Sequence, residues 1–379
     1  MTTAPLSTPE PQALRARYVM IGGFLGAGKT TAVAALAQHL VRQGQRVGLI
    51  TNDQGSELVD TTMLRSKGFA TEEIPGGCFC CRFNSLVEAA GKLDETTRPD
   101  VFIAEPVGSC TDLVATVTYP LRRMYGGRFA IAPLSVLVDP IRAARIFGLA
   151  EGGRFSEKVL YIYRKQLEEA DLIVITKREL IDAHQLERLR ARLAAEFPRA
   201  SILDVSVREG GGVADWFAQI ASREQTARAT MEVDYEIYAE GEALLGWLNA
   251  TVQLTHATGF SADEVLEALA GDIQQRLAPA EIAHLKMTLS PADGLGDIAA
   301  INLVRSDFVP ELSLSLEAPV TSGQLIVNAR AEAAPEALRD AVNAAVAALP
   351  ARFAGLTAQL EHLEHFRPGK PTPTHRDVA

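Results

Sequence analysis

The stretch Gly23-Phe24-Leu25-Gly26-Ala27-Gly28-Lys29-Thr30-Thr31 constrains the fold of this chain more than any other. It follows a short apolar run, Tyr18 to Ile21, and opens a helical pattern from Ala32 to Leu40. Glycine, four residues, glycine, lysine and threonine form a phosphate-binding loop between a strand and a helix. A glycine-rich backbone curls tightly enough for successive N–H groups to face phosphate oxygens, and the helix adds its positive N-terminal end. The pattern assigns a nucleoside triphosphate to Gly23, Gly26, Ala27, Gly28, Lys29, Thr30 and Thr31. Lys29 would reach the β/γ-phosphates and Thr30 would ligate Mg²⁺.

A chain of 379 residues holds two ordinary domains with solid cores. Its net charge of −10 argues against a broad nucleic-acid surface. Nothing reads as a transmembrane span or secretory signal, so a cytoplasmic protein without a membrane partner is expected. Residues 1–16, with Pro5, Pro9 and Pro11, read as a disordered lead-in.

Beyond the loop, strands and helices alternate. Val47 to Thr51 reads as a buried strand that runs into Asn52-Asp53-Gln54-Gly55, at the strand end where ligands sit in open α/β sheets. Asp53, Asp60 and Thr62 are candidates there for contacts to Mg²⁺ or the γ-phosphate. Asp100 to Ala104 reads as a third strand, closed by Glu105-Pro106-Val107-Gly108. Glu105 is the candidate for orienting the attacking water or the Mg²⁺ shell, and Asp53 is grouped with Lys29 and Glu105 as catalytic. Ser135 to Val138, Leu172 to Ile175 and Ser201 to Val205 complete a mostly parallel sheet covered by helices on both faces. This domain is placed at residues 17–228. Residues 231–366 read as a smaller α+β domain, with strands, a Ser261-x-x-Glu264 capping box opening one helix, and an Ala-rich second helix. His362 and His365 read as solvated residues on a helix face, and residues 367–379 as a tail.

Three of the four cysteines crowd into Gly76-Gly77-Cys78-Phe79-Cys80-Cys81, with Cys110 apart. A disulfide framework would spread them differently. Cys78, Cys80 and Cys81 can converge on one zinc, copper or related ion, although three thiols do not complete a tetrahedral site. A fourth ligand would come from a carboxylate such as Glu73, from water, from nucleotide-dependent movement or from another chain. A redox dithiol and small buried hydrophobes are the alternatives. Cys110 reads as a buried thiol.

Taken in order, Gly23 to Thr31, Glu73 with the Gly-Cys-x-Cys-Cys segment, Glu105-x-x-Gly108, and Gln166, Ala170-Asp171 and Lys177 resemble the CobW-like GTPases. These are relatives of the nickel-insertion GTPases of urease and hydrogenase. The resemblance runs from about Tyr18 to Phe217. It implies GTP and Mg²⁺ as cofactors, a nucleotide-coupled transition metal (zinc or cobalt) at Cys78, Cys80 and Cys81, and guanine recognition by Thr176, Lys177 and Glu179. Two departures stand out. Thr176-Lys177-Arg178-Glu179 replaces the family's Asn-Lys-x-Asp, so the acceptor for the guanine edge is one methylene longer. Gly77 precedes the cysteines where relatives often carry Asn. The histidine-rich tracts common in the family are missing from this sequence.

The resulting expectation is a GTP-hydrolysing metallochaperone that delivers its metal to a client metalloprotein or cofactor-assembly enzyme through the second domain, with a homodimer as one possible assembly. A nucleotide-dependent regulator or scaffold of a metalloenzyme is the alternative. A small-molecule kinase would share the phosphate loop but leave the cysteines without a role.

Overall fold

The computed structural model describes residues 15–52, 59–292 and 296–378. Its first layer system is a parallel sheet of β1 (Ala16–Gly23), β2 (Val47–Asn52), β3 (Thr71–Ile74), β4 (Val101–Glu105), β5 (Phe129–Ile131), β6 (Ser135–Val138), β7 (Leu172–Ile175) and β8 (Ser201–Asp204). The strand order is β3-β2-β4-β1-β6-β7-β8, with β5 also pairing β1. Every pairing in it is parallel.

The central strands read as continuous apolar runs because both faces are covered. Tyr18, Met20, Phe102 and Ala104 enter the core on one face, while Val19, Ile21, Val101 and Ile103 enter the core on the other. Successive strand side chains point to opposite faces, so one run fills two cores. The crossovers are α1 (Lys29–Arg42), α2 (Val59–Ser66), α3 (Phe83–Thr96), α4 (Tyr119–Tyr125), α5 (Pro140–Ile146), α6 (Glu157–Glu168), α7 (Ala183–Glu196) and α8 (Val213–Ser222). A further helix, α9 (Tyr235–Leu244), leads into the second unit.

That unit is an antiparallel sheet of β9 (Gly246–Phe260), β10 (Ile282–Pro291), β11 (Ala299–Leu303), β12 (Glu311–Leu314), β13 (Val320–Ala331) and β14 (Thr357–Phe366). Its order is β12-β11-β10-β13-β9-β14. Two helices, α10 (Ala262–Leu277) and α11 (Pro335–Arg352), cover one face. The Ser261 side chain accepts the Glu264 N–H, as the capping pattern predicts.

The period-2 alternation then decides what the other face carries. Leu285, Met287 and Leu289 of β10 pack under the helices, so His284, Lys286 and Thr288 project the opposite way. That polar face is buried against the first unit. Ile298, Ala300 and Ile326 pack with Val59 and Met63 of α2, and the Val59 N–H donates to Asn328 Oδ1 at 3.0 Å. Trp247 joins the core of the parallel sheet, with the Arg330 guanidinium 4.0 Å from its ring centroid.

Two expectations change. His362 and His365 lie on strand β14, paired to β9, and share no helix face. Residues 367–378, read as a tail, run back along the first unit and pack against the cysteine turn. Among the described residues, no helix is long and apolar enough to cross a membrane.

Candidate nucleotide site and metal centre

The phosphate-binding loop leaves β1 through Gly23, whose φ is 130° and where a Cβ would lie 2.4 Å from the Leu137 carbonyl oxygen. Only glycine fits there. Gly28, at φ 88°, is the left-handed residue from which α1 starts, with Lys29 and Thr30 in the first turn. Both side chains are buried, whereas Thr31 is exposed. The Lys29 ammonium is held below its usual range by burial, opposed by the nearby Glu105 and Asp60 carboxylates.

Three oxygen-bearing side chains converge beside it. Thr30 Oγ1 lies 2.7 Å from Asp60 Oδ1 and 3.0 Å from Glu105 Oε1. Glu105 ends β4 next to β1, which is why a residue 75 positions away meets the loop. Its carboxyl is pushed up to about 7 by burial and by Asp60, with Lys29 and Lys286 working the other way. Among the described residues, Glu105 Oε2 is buried without a hydrogen-bond partner. A hydroxyl and two carboxylates with an unsatisfied oxygen suit a hard divalent cation, so the residues present fit Mg²⁺. Asp53 lies outside the described residues. Thr62 sits half-buried on α2.

A cation of the protein already faces this cluster. Lys286 Nζ, from β10 of the second unit, lies 2.6 and 2.7 Å from the two oxygens of Asp60. Burial alone would raise the Asp60 carboxyl, but Lys286 holds it below its usual range. Reading β10 as a strand with one solvated face hides this residue.

Thr176 and Lys177, expected at the base, brace the loop from behind. Thr176 Oγ1 donates to the Ala27 carbonyl at 2.8 Å, and Lys177 Nζ donates to Gly26 O at 2.9 Å and to Asp139 Oδ2 at 3.0 Å. Arg305 adds an ion pair to Asp139, and despite burial the two cations keep that carboxyl low. Glu179 is exposed in a short turn after β7. Arg142 ties the loop to the second unit: its guanidinium donates to Leu25 O at 3.0 Å, to Ile282 O at 3.2 Å and to Val304 O.

The cysteine turn follows β3. Gly76 at φ 74° and Gly77 at φ 146° turn the backbone, and the Cys81 and Arg82 N–H groups close onto Cys78 O. The thiols converge: Cys78 Sγ lies 2.8 Å from Cys80 Sγ and 3.4 Å from Cys81 Sγ, with 3.7 Å between Cys80 and Cys81. All three are free, Cys78 and Cys80 buried and Cys81 half-buried. Among the described residues this is the one group of three or more His, Cys, Asp or Glu ligand atoms within 4.8 Å of one another. Glu73, on β3, is not in it. Hydrogen bonding from Cys110, then Cys80 and Cys81, holds the Cys78 thiol well below its usual range, while the same network pushes Cys81 up to about 11.

A hydrogen bond ties the cysteine turn to the end of β2. Asn52, at the end of β2, donates to Gly77 O at 2.6 Å and to Ile74 O at 2.8 Å. The loop after Glu105 carries Cys110 into the same core as Cys78 and Cys80, with Gln166 Nε2 bonded to Gly108 O at 2.9 Å and to Cys110 O at 2.8 Å. The segment 367–378 covers the thiols from outside. The Thr372 N–H donates to Cys81 Sγ at 3.2 Å, and Thr374 bonds Cys80 O at 2.8 Å and Cys81 O at 3.1 Å. Arg376 pairs with the buried Asp112 at 2.8 Å, and the His375 ring meets Phe83 edge-on.

Residues 17–204 match the family described as CobW/HypB/UreG, nucleotide-binding domain. Over 209 residues the chain is 30% identical to the zinc chaperone CobW of a Sinorhizobium species, covering 48% of this chain and 56% of that protein. Over 211 residues it is 29% identical to the zinc chaperone CobW of Pseudomonas aeruginosa, covering 48% and 54%. The zinc chaperone YeiR of Escherichia coli K12 is 30% identical over 167 residues, covering 43% and 47%. The chain thus spans about half the length of the curated relatives it matches.

Proposed function

Because residues 17–204 belong to the CobW/HypB/UreG nucleotide-binding domain family, we propose that this chain is a GTP-hydrolysing metallochaperone that holds zinc at Cys78, Cys80 and Cys81 and passes it to a client protein. The observation that carries the reading is the three-thiol cluster tied by Asn52 to the end of β2, which lies beside Glu105 of the triphosphate site. The names of the zinc-chaperone relatives favour zinc over cobalt.

In this reading the loop N–H groups and Lys29 bind the β/γ-phosphates, and Thr30, Asp60 and Glu105 hold Mg²⁺, which when bound neutralises developing phosphate charge. Glu105 positions the attacking water. Water adds to the γ-phosphorus, the bond to the β-phosphate oxygen breaks, and GDP and phosphate leave. Guanine preference rests on Lys177 and on Glu179 as the acceptor for the base edge, with Thr176 bracing the loop. A shift at the end of β2 on nucleotide binding moves Asn52, and with it the cysteine turn. Zinc is cargo, so an incomplete thiol set with one half-buried member suits release.

The test is zinc titration of the full chain with and without a non-hydrolysable GTP analogue and Mg²⁺. A nucleotide-dependent zinc affinity is expected; equal affinities overturn the coupling. Replacing Cys80 and Cys81 by Ser should abolish tight zinc binding and leave nucleotide binding intact.

A further inference from the structure

We propose that residues 370–377 occupy a docking groove beside the cysteine turn, that this groove takes an extended, arginine-bearing segment of a client protein, and that the chain's own segment is the built-in competitor for it. The proposal rests on the metal-delivery reading above and adds to it where the client is met and by what chemistry.

Pro368, Pro371 and Pro373 lack N–H groups, fix their own φ at about −65° and bias the residue before each of them to extended backbone. The segment is therefore set extended before it is seated, at little further cost in entropy. Between Pro371 and Thr374 two N–H groups remain, and both are spent on the cysteine turn. The Thr372 N–H reaches Cys81 Sγ at 3.2 Å and the Thr374 N–H reaches Cys80 O at 2.8 Å. Thr374 Oγ1 adds a bond to Cys81 O at 3.1 Å, and the Asp377 N–H donates to Ala115 O at 2.8 Å. Pro371 is buried, whereas Thr372 and Thr374 stay exposed. Main-chain bonds of this kind give affinity without reading sequence, so another extended segment with N–H groups at these places satisfies them equally.

Asp112 supplies the selection among extended segments. Its side chain is 1% exposed, and Oδ2 accepts from Tyr235 OH at 2.7 Å and from Arg376 Nε at 2.8 Å. Arg376 Nη2 also donates to Met231 O at 3.0 Å. A carboxylate buried this deeply is costly without a cation. An incoming segment therefore displaces residues 370–377 only by bringing its own cation to Asp112. The planar guanidinium fork serves Asp112 and the Met231 carbonyl together, a geometry that a lysine ammonium does not reproduce. Asp377, the next residue, pairs with Arg123 at 2.9 Å, so an acid after the arginine suits the groove. While the chain's own segment is seated, it lies on the outer side of Cys81. Its exchange for a client segment sets the client beside the thiols in the same step.

The experiment uses the full chain, wild type and Thr374→Pro/Arg376→Glu, with nucleotide affinity as the check of folding, and a fluorescent synthetic peptide spanning residues 369–378. Cys81 of the double variant should be alkylated about tenfold faster or more than in wild type. The variant should also bind the peptide about tenfold more tightly or better, because wild type holds its own segment at high effective concentration. Bound peptide should return Cys81 alkylation in the variant to the wild-type rate. The same peptide carrying Arg376→Glu should neither bind nor protect. Equal peptide affinity for both proteins, or equal binding of both peptides, would overturn the proposal. Zinc titration of the wild-type chain is a separate arm. Tight zinc binding without peptide discrimination removes the groove and leaves the metal reading standing. Peptide discrimination without zinc binding removes the metal reading and leaves the groove.

Discussion

Lys286 Nζ is 2.6 Å from Asp60 Oδ1, and Asp60 Oδ1 is 2.7 Å from Thr30 Oγ1. A lysine from the second unit thereby holds the carboxylate that borders the first helical turn of the nucleotide site. In the proposed reading Mg²⁺ takes an oxygen of Asp60 and would compete with Lys286 for that carboxylate, since like charges about 4 Å apart repel by about 4 kcal/mol near a protein surface. Mg²⁺ and nucleotide are therefore expected to draw Lys286 from Asp60 towards the polyanionic phosphates.

Replacing Lys286 by Met should accordingly destabilise the nucleotide-free protein more than the Mg²⁺–GTP-bound one. The pair is partly exposed, 17% and 23% for the two side chains. The expected loss is therefore about 1–3 kcal/mol, below that of breaking a fully buried pair. Thermal melts with and without a Mg²⁺–GTP analogue measure it. An equal loss in both states would show that Lys286 supports only the packing of the two units.

Glu105 should impose a pH limb on hydrolysis. Its carboxyl is raised from 4.5 to about 7. Holding a cation or orienting water requires the ionised form, so kcat/KM should rise with pH through about 7 in the free enzyme. The stability sign is the opposite. Between pH 4.5 and 7 the folded chain binds more protons at this residue than the unfolded chain, so its contribution to stability falls as pH rises through that window. Glu105→Gln should lower kcat about 100-fold or more and abolish the limb. A profile unchanged in the Gln variant would remove Glu105 from the chemistry.

Ending the chain at Phe366 should expose the thiols. It removes the Thr372 N–H bond to Cys81 Sγ, both Thr374 bonds and the Arg376–Asp112 pair. At about 0.5–1.5 kcal/mol net per hydrogen bond, alkylation of Cys81 in the metal-free protein should accelerate about tenfold or more. Zinc dissociation should quicken in parallel, with GTP affinity unchanged. Identical alkylation rates would mean that the segment lies on the cysteine turn without guarding it.

Arg142→Ala should separate the two units. The guanidinium is fully buried, bonds carbonyls on both sides of the interface, and lies 5.0 Å from the Phe155 ring centroid. Its removal leaves those carbonyls buried without a donor, a loss of about 3–5 kcal/mol. Chemical denaturation of the variant, with nucleotide affinity as a second readout, checks this. A loss under 1 kcal/mol would mean that water replaces the guanidinium.

Local chemistry was enough to reveal the glycine-rich loop between β1 and α1, the parallel sheet around it and the crowding of three thiols after β3. Glycine spacing, apolar runs and thiol spacing each act within a few residues of chain, where covalent geometry decides the outcome. Glu105 was legible for the same reason, as an acid at the end of a strand beside the loop. Lys286, Arg142 and Asn52 were not. His284-x-Lys286-x-Thr288 alternates in the same way whether its polar face meets water or a second domain, because a strand's period records only that two environments differ. Residues 367–378 carry no periodic signal at all, and only packing assigns them to the cysteine turn. The sequence by itself determined that a glycine-rich loop follows the first strand and that three thiols crowd into one turn. The tertiary structure decided that Asn52 ties that turn to the end of β2, that a lysine from the second unit pairs with Asp60 beside the loop, and that a folded-back segment lies on the thiols. Contacts between residues far apart in the chain depend on the summed packing of both units, to which no single stretch of sequence has access.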